Sequence, residues 1–314
     1  MKEFVKIKDL TPNDFNIKWR MTNLCNIHCS YCIRYKHRVD INDTCVKENE
    51  DKLCEVARDI SKLLEKTKFN NIRLNLIGGE VTIFDLKRIL ANITTDKVKV
   101  INITSNLMRD VQYYIELADF CYSRNIKLSI CFSCHYEFIT LDKYFEKINQ
   151  LKGKIDCLTC ELVSNDKNQE LCKDFIARCE KCDVYYFLDA DIRQNQAEAR
   201  EKGLLTSSKK KEPRYKVTFA DGTEKIFETR NQFLTSKEIK GTKGLKFIQT
   251  GGMYCTNSYN YIYIEFDKVN GRSSSGSGCH ELIPVKDFKL LDKPAKCNSD
   301  YCTICGHMDL FKEL

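Results

Sequence analysis

Cys25, Cys29 and Cys32 stand in the order C-x3-C-x2-C within the stretch Cys25-Asn26-Ile27-His28-Cys29-Ser30-Tyr31-Cys32. Thiolates packed this closely in an intracellular chain point to a metal or a cluster. A [4Fe–4S] cube has four irons, and complete protein ligation takes four thiolates. Three thiolates leave one iron open to a ligand that is not protein. The other reading of the loop is a zinc knuckle, with His28 joining the three cysteines as nitrogen and sulfur ligands.

A loop of this kind needs a rigid support. Phe15-Asn16-Ile17-Lys18-Trp19 alternates like a strand and ends just before it. Chemistry in parallel α/β folds gathers at the C-terminal ends of strands, where this loop begins. From residue 45 to about 190 the pattern then alternates helix and strand. Helical spacing covers Val46–Leu64, Asp85–Leu90, Val111–Arg124, Leu141–Leu151 and Asn168–Lys181. Strand patterns cover Ile72–Ile77, Val98–Thr104, Lys127–Phe132, Ile155–Val163 and Val184–Leu188. Six βα-type units in series predict a parallel sheet curved into a partial (βα)6 barrel.

Gly78-Gly79-Glu80 closes the second strand of that series. Glycines there let another group approach the backbone, and the carboxylate can accept hydrogen bonds from an ammonium group. Together with the cysteine loop, and with Tyr31 as the aromatic before its last Cys, this order resembles the radical S-adenosylmethionine (SAM) superfamily. The resemblance implies a [4Fe–4S] cluster on Cys25, Cys29 and Cys32 whose open iron chelates SAM. It implies reductive cleavage of SAM to a 5′-deoxyadenosyl radical that abstracts a substrate hydrogen, with flavodoxin or ferredoxin as electron donor. It also implies contacts to the SAM amino group from Gly78, Gly79 and Glu80. Ser105 and Asn106, after the third strand, match the family's polar contacts to ribose and carboxylate; an ordinary turn accounts for them equally. The family's glycine-rich motif on the fifth strand has no counterpart in Ile155–Val163. Ser133-Cys134-His135-Tyr136-Glu137 ends the fourth strand. It offers groups for substrate binding or proton transfer, although a histidine at a strand end is more often structural.

The chain has 314 residues, enough for one large α/β domain or a domain with a smaller module. Hydrophobic content of 42% beside 30% charge fits a folded globular chain and excludes a disordered one. No run of 18 apolar residues offers a membrane span, and Met1–Lys6 lacks the apolar core of a signal peptide. A cytosolic protein is therefore expected. In that compartment 18 cysteines argue for ligands and buried thiols rather than disulfides. Cys45, Cys54, Cys121, Cys172 and Cys179 fall in helical patterns and read as core. Cys157 and Cys160, three apart in a strand, face opposite ways and make a poor clamp. The net charge of +7 is moderate, and Lys209-Lys210-Lys211 reads as a solvated loop rather than an RNA site.

Beyond residue 191 the pattern changes. Gln194–Lys202 is helix-like, and Asp221-Gly222 predicts a hairpin between Tyr215–Phe219 and Lys225–Phe227. Cys255, Cys279, Cys297, Cys302 and Cys305 then cluster. Tyr259–Phe266 reads as a strand, Asp267–Gly271 as a turn and Arg272–Gly278 as the return arm. Cys302-Thr303-Ile304-Cys305 adds a two-residue-spaced pair. This set resembles the auxiliary-cluster extensions of radical SAM enzymes called SPASM and, in the one-cluster form, twitch. The resemblance implies a second [4Fe–4S] cluster on Cys255, Cys279, Cys302 and Cys305, with Cys297 spare or replacing one of them. A structural zinc site would use the same thiolates. Three units are expected: residues 1–205 for the barrel, 206–250 for a basic linker and hairpin, and 251–314 for a small α+β iron–sulfur domain. Relatives with auxiliary clusters modify peptides or proteins, or oxidise small molecules such as sugars, aminoglycosides and nucleotides. The 24 residues before Cys25 leave no room for the N-terminal peptide-binding domain of many peptide modifiers. Peptide or protein modification still ranks slightly ahead, because a partner chain could supply that domain. A non-catalytic zinc and nucleic-acid module is the reading from another class, and the serial βα pattern with Gly78-Gly79-Glu80 argues against it.

Overall fold

The structure is a computed structural model. It describes residues 3–10, 13–32, 43–191, 206–207, 215–227, 236, 242–243, 247–249, 252–271, 281–297, 301–302 and 310–312. In chain order the first part holds β1 (Phe4–Asp9), β2 (Phe15–Thr22), α1 (Asp43–Glu65), β3 (Ile72–Gly78), α2 (Leu86–Leu90), β4 (Val98–Ser105), α3 (Val111–Ser123), β5 (Lys127–Cys134), α4 (Leu141–Leu151), β6 (Cys157–Ser164), α5 (Gln169–Lys181) and β7 (Tyr185–Ala190). The second holds β8 (Thr206–Ser207), β9 (Tyr215–Phe219), β10 (Glu224–Phe227), β11 (Thr242–Lys243), β12 (Phe247–Gln249), β13 (Tyr254–Cys255), β14 (Tyr261–Glu265), β15 (Lys268–Gly271), β16 (Glu281–Pro284), β17 (Ala295–Lys296), β18 (Tyr301–Cys302) and β19 (Leu310–Phe311).

The six strands expected from the sequence are β2 to β7, adjacent in chain order and all parallel. This is a mixed α/β fold around a large, mainly parallel sheet. Period-two sequences explain its two faces. In β3, Ile72, Leu74 and Leu76 are buried while Arg73, Asn75 and Ile77 are half-buried. The buried rows pack with the apolar faces of the helices in one core. On α4 that face is Leu141, Tyr144, Phe145, Ile148 and Leu151, at helical spacing, and Thr140 caps the helix by accepting from Lys143 N. The opposite face of the sheet carries Asn75, Asn102, Thr104, Ser129, Ser133 and Glu161, all half-buried. Parallel strands packed on both faces read as continuous apolar runs. These strands do not, so only one face is a packed core.

Residues 261–284 contribute strands to this same sheet. β14 pairs in parallel with β2, β15 and β16 follow antiparallel, and β8 closes the other end beside β7, giving ten strands. Arg20 on β2 binds Glu265 on β14, and Trp19 Nε1 donates to Phe266 O at 2.9 Å. A second sheet, in the order β10-β9-β1-β19-β13-β17, joins the start of the chain to its end. The hairpin at Asp221-Gly222 is β9 and β10. Of the expected turn 267–271, Lys268–Gly271 is strand instead. The chain reverses at Phe266-Asp267, with Phe266 at φ 58°, and the return arm β15 begins at Lys268. The helical pattern at Gln194–Lys202 lies outside the described residues.

Cys54, Cys121, Cys172 and Cys179 are buried core thiols; the side chain of Cys45 lies outside the described residues. Cys160 is buried and Cys157 half-buried, on opposite faces of β6. Burial pushes the Cys121 thiol up to about 12 from an ordinary 9.0. Folding therefore holds a proton that the unfolded chain releases. The stability from this group is full below pH ~9 and is lost as pH rises toward about 12, by at most about 1.4 kcal/mol per unit. Urea unfolding between pH 8 and 11 should show a shallower decline in Cys121→Ala than in the parent. Equal slopes would refute this.

Candidate functional site

The cysteine loop leaves the C-terminal end of β2 and is fixed to the ends of the next three strands. Main-chain bonds come first. Gly79 N donates to Thr22 O and Glu80 N to Leu24 O, both at 2.8 Å. Leu24 N donates to Thr22 Oγ1 at 2.9 Å. Thr22–Leu24 thus lies directly on Gly78 and Gly79, and a methyl group on either glycine would strike it. The close approach these glycines allow is filled by the chain's own backbone.

Glu80 is 1% exposed. It accepts from Thr82 N at 3.0 Å, Thr82 Oγ1 at 2.6 Å and Asn106 N at 2.6 Å. Burial raises its pKa, and donors from Thr82, Asn106 and Ser105 oppose that rise. Asn106 is also buried, and its Nδ2 donates to Asn26 Oδ1 in the loop at 2.7 Å. Leu107 follows with φ 60°, a backbone state uncommon for a residue other than glycine, asparagine or aspartate. Its N–H meets Ser105 Oγ at 3.3 Å, and Ser105 Oγ lies 2.8 Å from Tyr114 Oη, inside the core. Gly78, Gly79, Glu80, Ser105 and Asn106 therefore form one bonded unit under the loop.

The end of β5 holds the loop from another side. Ser30 gives both N–H and hydroxyl to the Glu137 carboxylate, the former at 2.7 Å. His135 Nδ1 stands 3.0 Å from Cys29 Sγ and 3.1 Å from Tyr31 Oη. Tyr31 stacks on Tyr136 at 5.2 Å, and Tyr136 Oη accepts from Asn165 Nδ2 at 3.2 Å beyond β6. Cys29 is buried, Cys25 and Cys32 are half-buried, and all three pack with Ile27, Tyr31, Met108, Tyr136 and Val163. Burial first, then the nearby Cys25 and Cys32, push Cys29 up to about 12, while burial lowers His135 to about 4. The sequence singled out His135, Tyr136 and Glu137 without assigning them a role. Their place at a strand's C-terminal end was the usable signal.

The donor set fits a cluster with one open iron: three thiols in one loop, in a largely apolar setting, on a braced base. Among the described residues, no three His, Cys, Asp or Glu side chains are grouped so as to hold one metal ion.

Of the C-terminal cysteines, Cys255 is half-buried in β13 and Cys297 is buried after β17. Cys255 pairs with Ala295, and Cys297 N donates to Met253 O at 2.7 Å, so the two cysteines are two residue pairs apart along the ladder. Cys302 lies in β18 with its side chain outside the described residues, as are Cys279 and Cys305 entirely. Among the described residues no helix is long and apolar enough to cross a membrane.

No protein-family model matches this chain, and no curated protein does. Among solved structures, Streptococcus suis SuiB bound to its precursor peptide SuiA is similar at 16% identity, over 61% of this chain and 45% of that one, with a TM-score of 0.45. SuiB bound to S-adenosylmethionine is similar at 15% identity, over 61% and 43%, with a TM-score of 0.43. Coproporphyrinogen III oxidase (HemN) from Escherichia coli, a radical SAM enzyme, is similar at 11% identity, over 62% and 49%, with a TM-score of 0.42. The matched region is less than half the length of each.

Proposed function

We propose that this chain is a radical SAM enzyme, its six parallel strands forming the partial barrel. The observation that carries the reading is the three-thiol loop braced at the C-terminal ends of β2 to β5. Cys25, Cys29 and Cys32 would hold a [4Fe–4S] cluster. With SAM on its open iron, that cluster supplies reductive cleavage to a 5′-deoxyadenosyl radical.

The remaining roles belong to the chain. Gly78 and Gly79 seat the loop. Glu80 is the carboxylate for the SAM ammonium. Its main-chain donors are fixed, whereas the hydroxyls of Thr82 and Ser105 can rotate away, so the ammonium competes with those hydroxyls. Ser105 and Asn106 set the base of the site, and Tyr31 covers the loop. Tyr31, Met108, Tyr136 and Val163 pack against the thiols. Cys255, Cys279, Cys302 and Cys305, with Cys297 available to replace one, would carry an auxiliary cluster. A peptide or protein is the proposed substrate, on the resemblance of that cysteine set to auxiliary extensions; a small molecule is the alternative. Flavodoxin or ferredoxin is the proposed donor.

The test is iron, sulfide and zinc content with a visible spectrum, on anaerobically reconstituted protein. About eight irons with absorbance near ~400 nm support both clusters, and about four support the SAM cluster alone. Zinc without iron refutes the enzyme reading.

A further inference from the structure

We propose that His135 donates a hydrogen bond from Nδ1 to the sulfur of Cys29 and so raises the reduction potential of the cluster; this rests on the function proposed above. The two atoms stand 3.0 Å apart, with Cys29 buried and His135 half-buried, which limits competition from water. A thiolate on iron only accepts hydrogen bonds, so Nδ1 carries the proton and Nε2 the lone pair.

The ring has little freedom to leave. Its residue follows β5 directly, and its carbonyl accepts from Phe138 N at 2.8 Å and Ile139 N at 3.1 Å. The ring lies 8° from parallel to Tyr31, whose hydroxyl is 3.1 Å from the same Nδ1. Two residues on, Glu137 holds Ser30, the neighbour of Cys29 in sequence. One short segment thus fixes both the loop and the donor.

Reduction adds negative charge to the cluster. A donor at a ligating sulfur stabilises that charge and raises the potential. His135 is a positioning and tuning residue, acting through Cys29.

The experiment is a redox titration followed by electron paramagnetic resonance, on the full chain with reconstituted clusters. The signal followed is the one that changes when SAM is added. His135→Phe should disfavour the reduced cluster about tenfold, a midpoint lower by about 59 mV for one electron. His135→Asn, whose amide N–H falls near the place of Nδ1, should keep most of the parent potential. If His135→Phe alone loses iron while His135→Asn keeps iron and potential, the donor role stands. An unshifted potential in His135→Phe with full iron overturns the inference and leaves the enzyme reading intact. Loss of iron in both variants overturns it as well, since the ring is then a prop. A parent protein that takes up no iron overturns both.

Discussion

A Cys25→Ala/Cys29→Ala/Cys32→Ala variant should form no detectable 5′-deoxyadenosine from SAM under reducing conditions in which the parent protein does. The loss is expected to be complete because every thiolate of the open-iron cluster is removed. It should not come from unfolding. Cys25 and Cys32 are half-buried, and only Cys29, at 4% exposure, loses a fully packed contact. Shaving one buried sulfur costs about 1 kcal/mol. The bonds that seat the loop use other groups: Gly79 N, Glu80 N, Asn106 Nδ2 and Ser30 N. Thermal unfolding should therefore stay close to that of the parent stripped of its clusters. If the auxiliary cluster is present, about half the iron should remain, and the residual absorbance belongs to it. SAM cleavage that survives in the triple variant would place the chemistry elsewhere.

Much of this site can be read in the sequence because its cues are local. Alternation in β2 to β7, helical spacing between them and Gly78-Gly79-Glu80 at the end of β3 are all short-range patterns. What escapes is non-local. The pairing of β14 with β2 joins residues some 245 positions apart, as the Arg20–Glu265 pair shows, and no spacing announces it. The misplaced turn at 267–271 has a specific cause. Gly271 looks like a turn glycine, but it sits in β15, where a methyl group would come 2.7 Å from Ser258 Oγ and 3.3 Å from Phe288. The reversal is made by Phe266, a residue that turn propensity does not favour at positive φ. Gly78 and Gly79 stand at the end of β3, and what approaches them is the chain's own backbone. Whether a small residue faces a ligand or a neighbouring segment depends on packing that a single strand does not encode.

That packing leads to the second large effect. Gly79→Ala should detach the cysteine loop from β3. The added methyl group falls inside contact distance of Leu24 O, 2.6 Å from the Leu24 carbonyl carbon and 2.9 Å from that of Asn23. These are backbone atoms, which cannot swing aside as a side-chain end would. Neither partner has slack. β3 is held by parallel ladders to β2 and β4, and Leu24 is tied by its N–H to Thr22 Oγ1 and by its carbonyl to Glu80 N. Relief requires Leu24 to move, which breaks the bond to Glu80 N and draws Cys25 away from the base. Overpacking with the loss of a buried hydrogen bond puts the cost on the order of 3 kcal/mol. A Gly153→Ala variant is the comparison. No atom crowds that position, but its φ of 77° makes alanine cost about 1–2 kcal/mol from backbone strain alone. Urea unfolding should rank the two in that order. Hydrogen exchange across residues 22–32 and iron uptake should change only in Gly79→Ala. Parent-like exchange and iron in that variant would mean that the loop is not seated on β3, and the braced site would have to be redrawn from its other contacts.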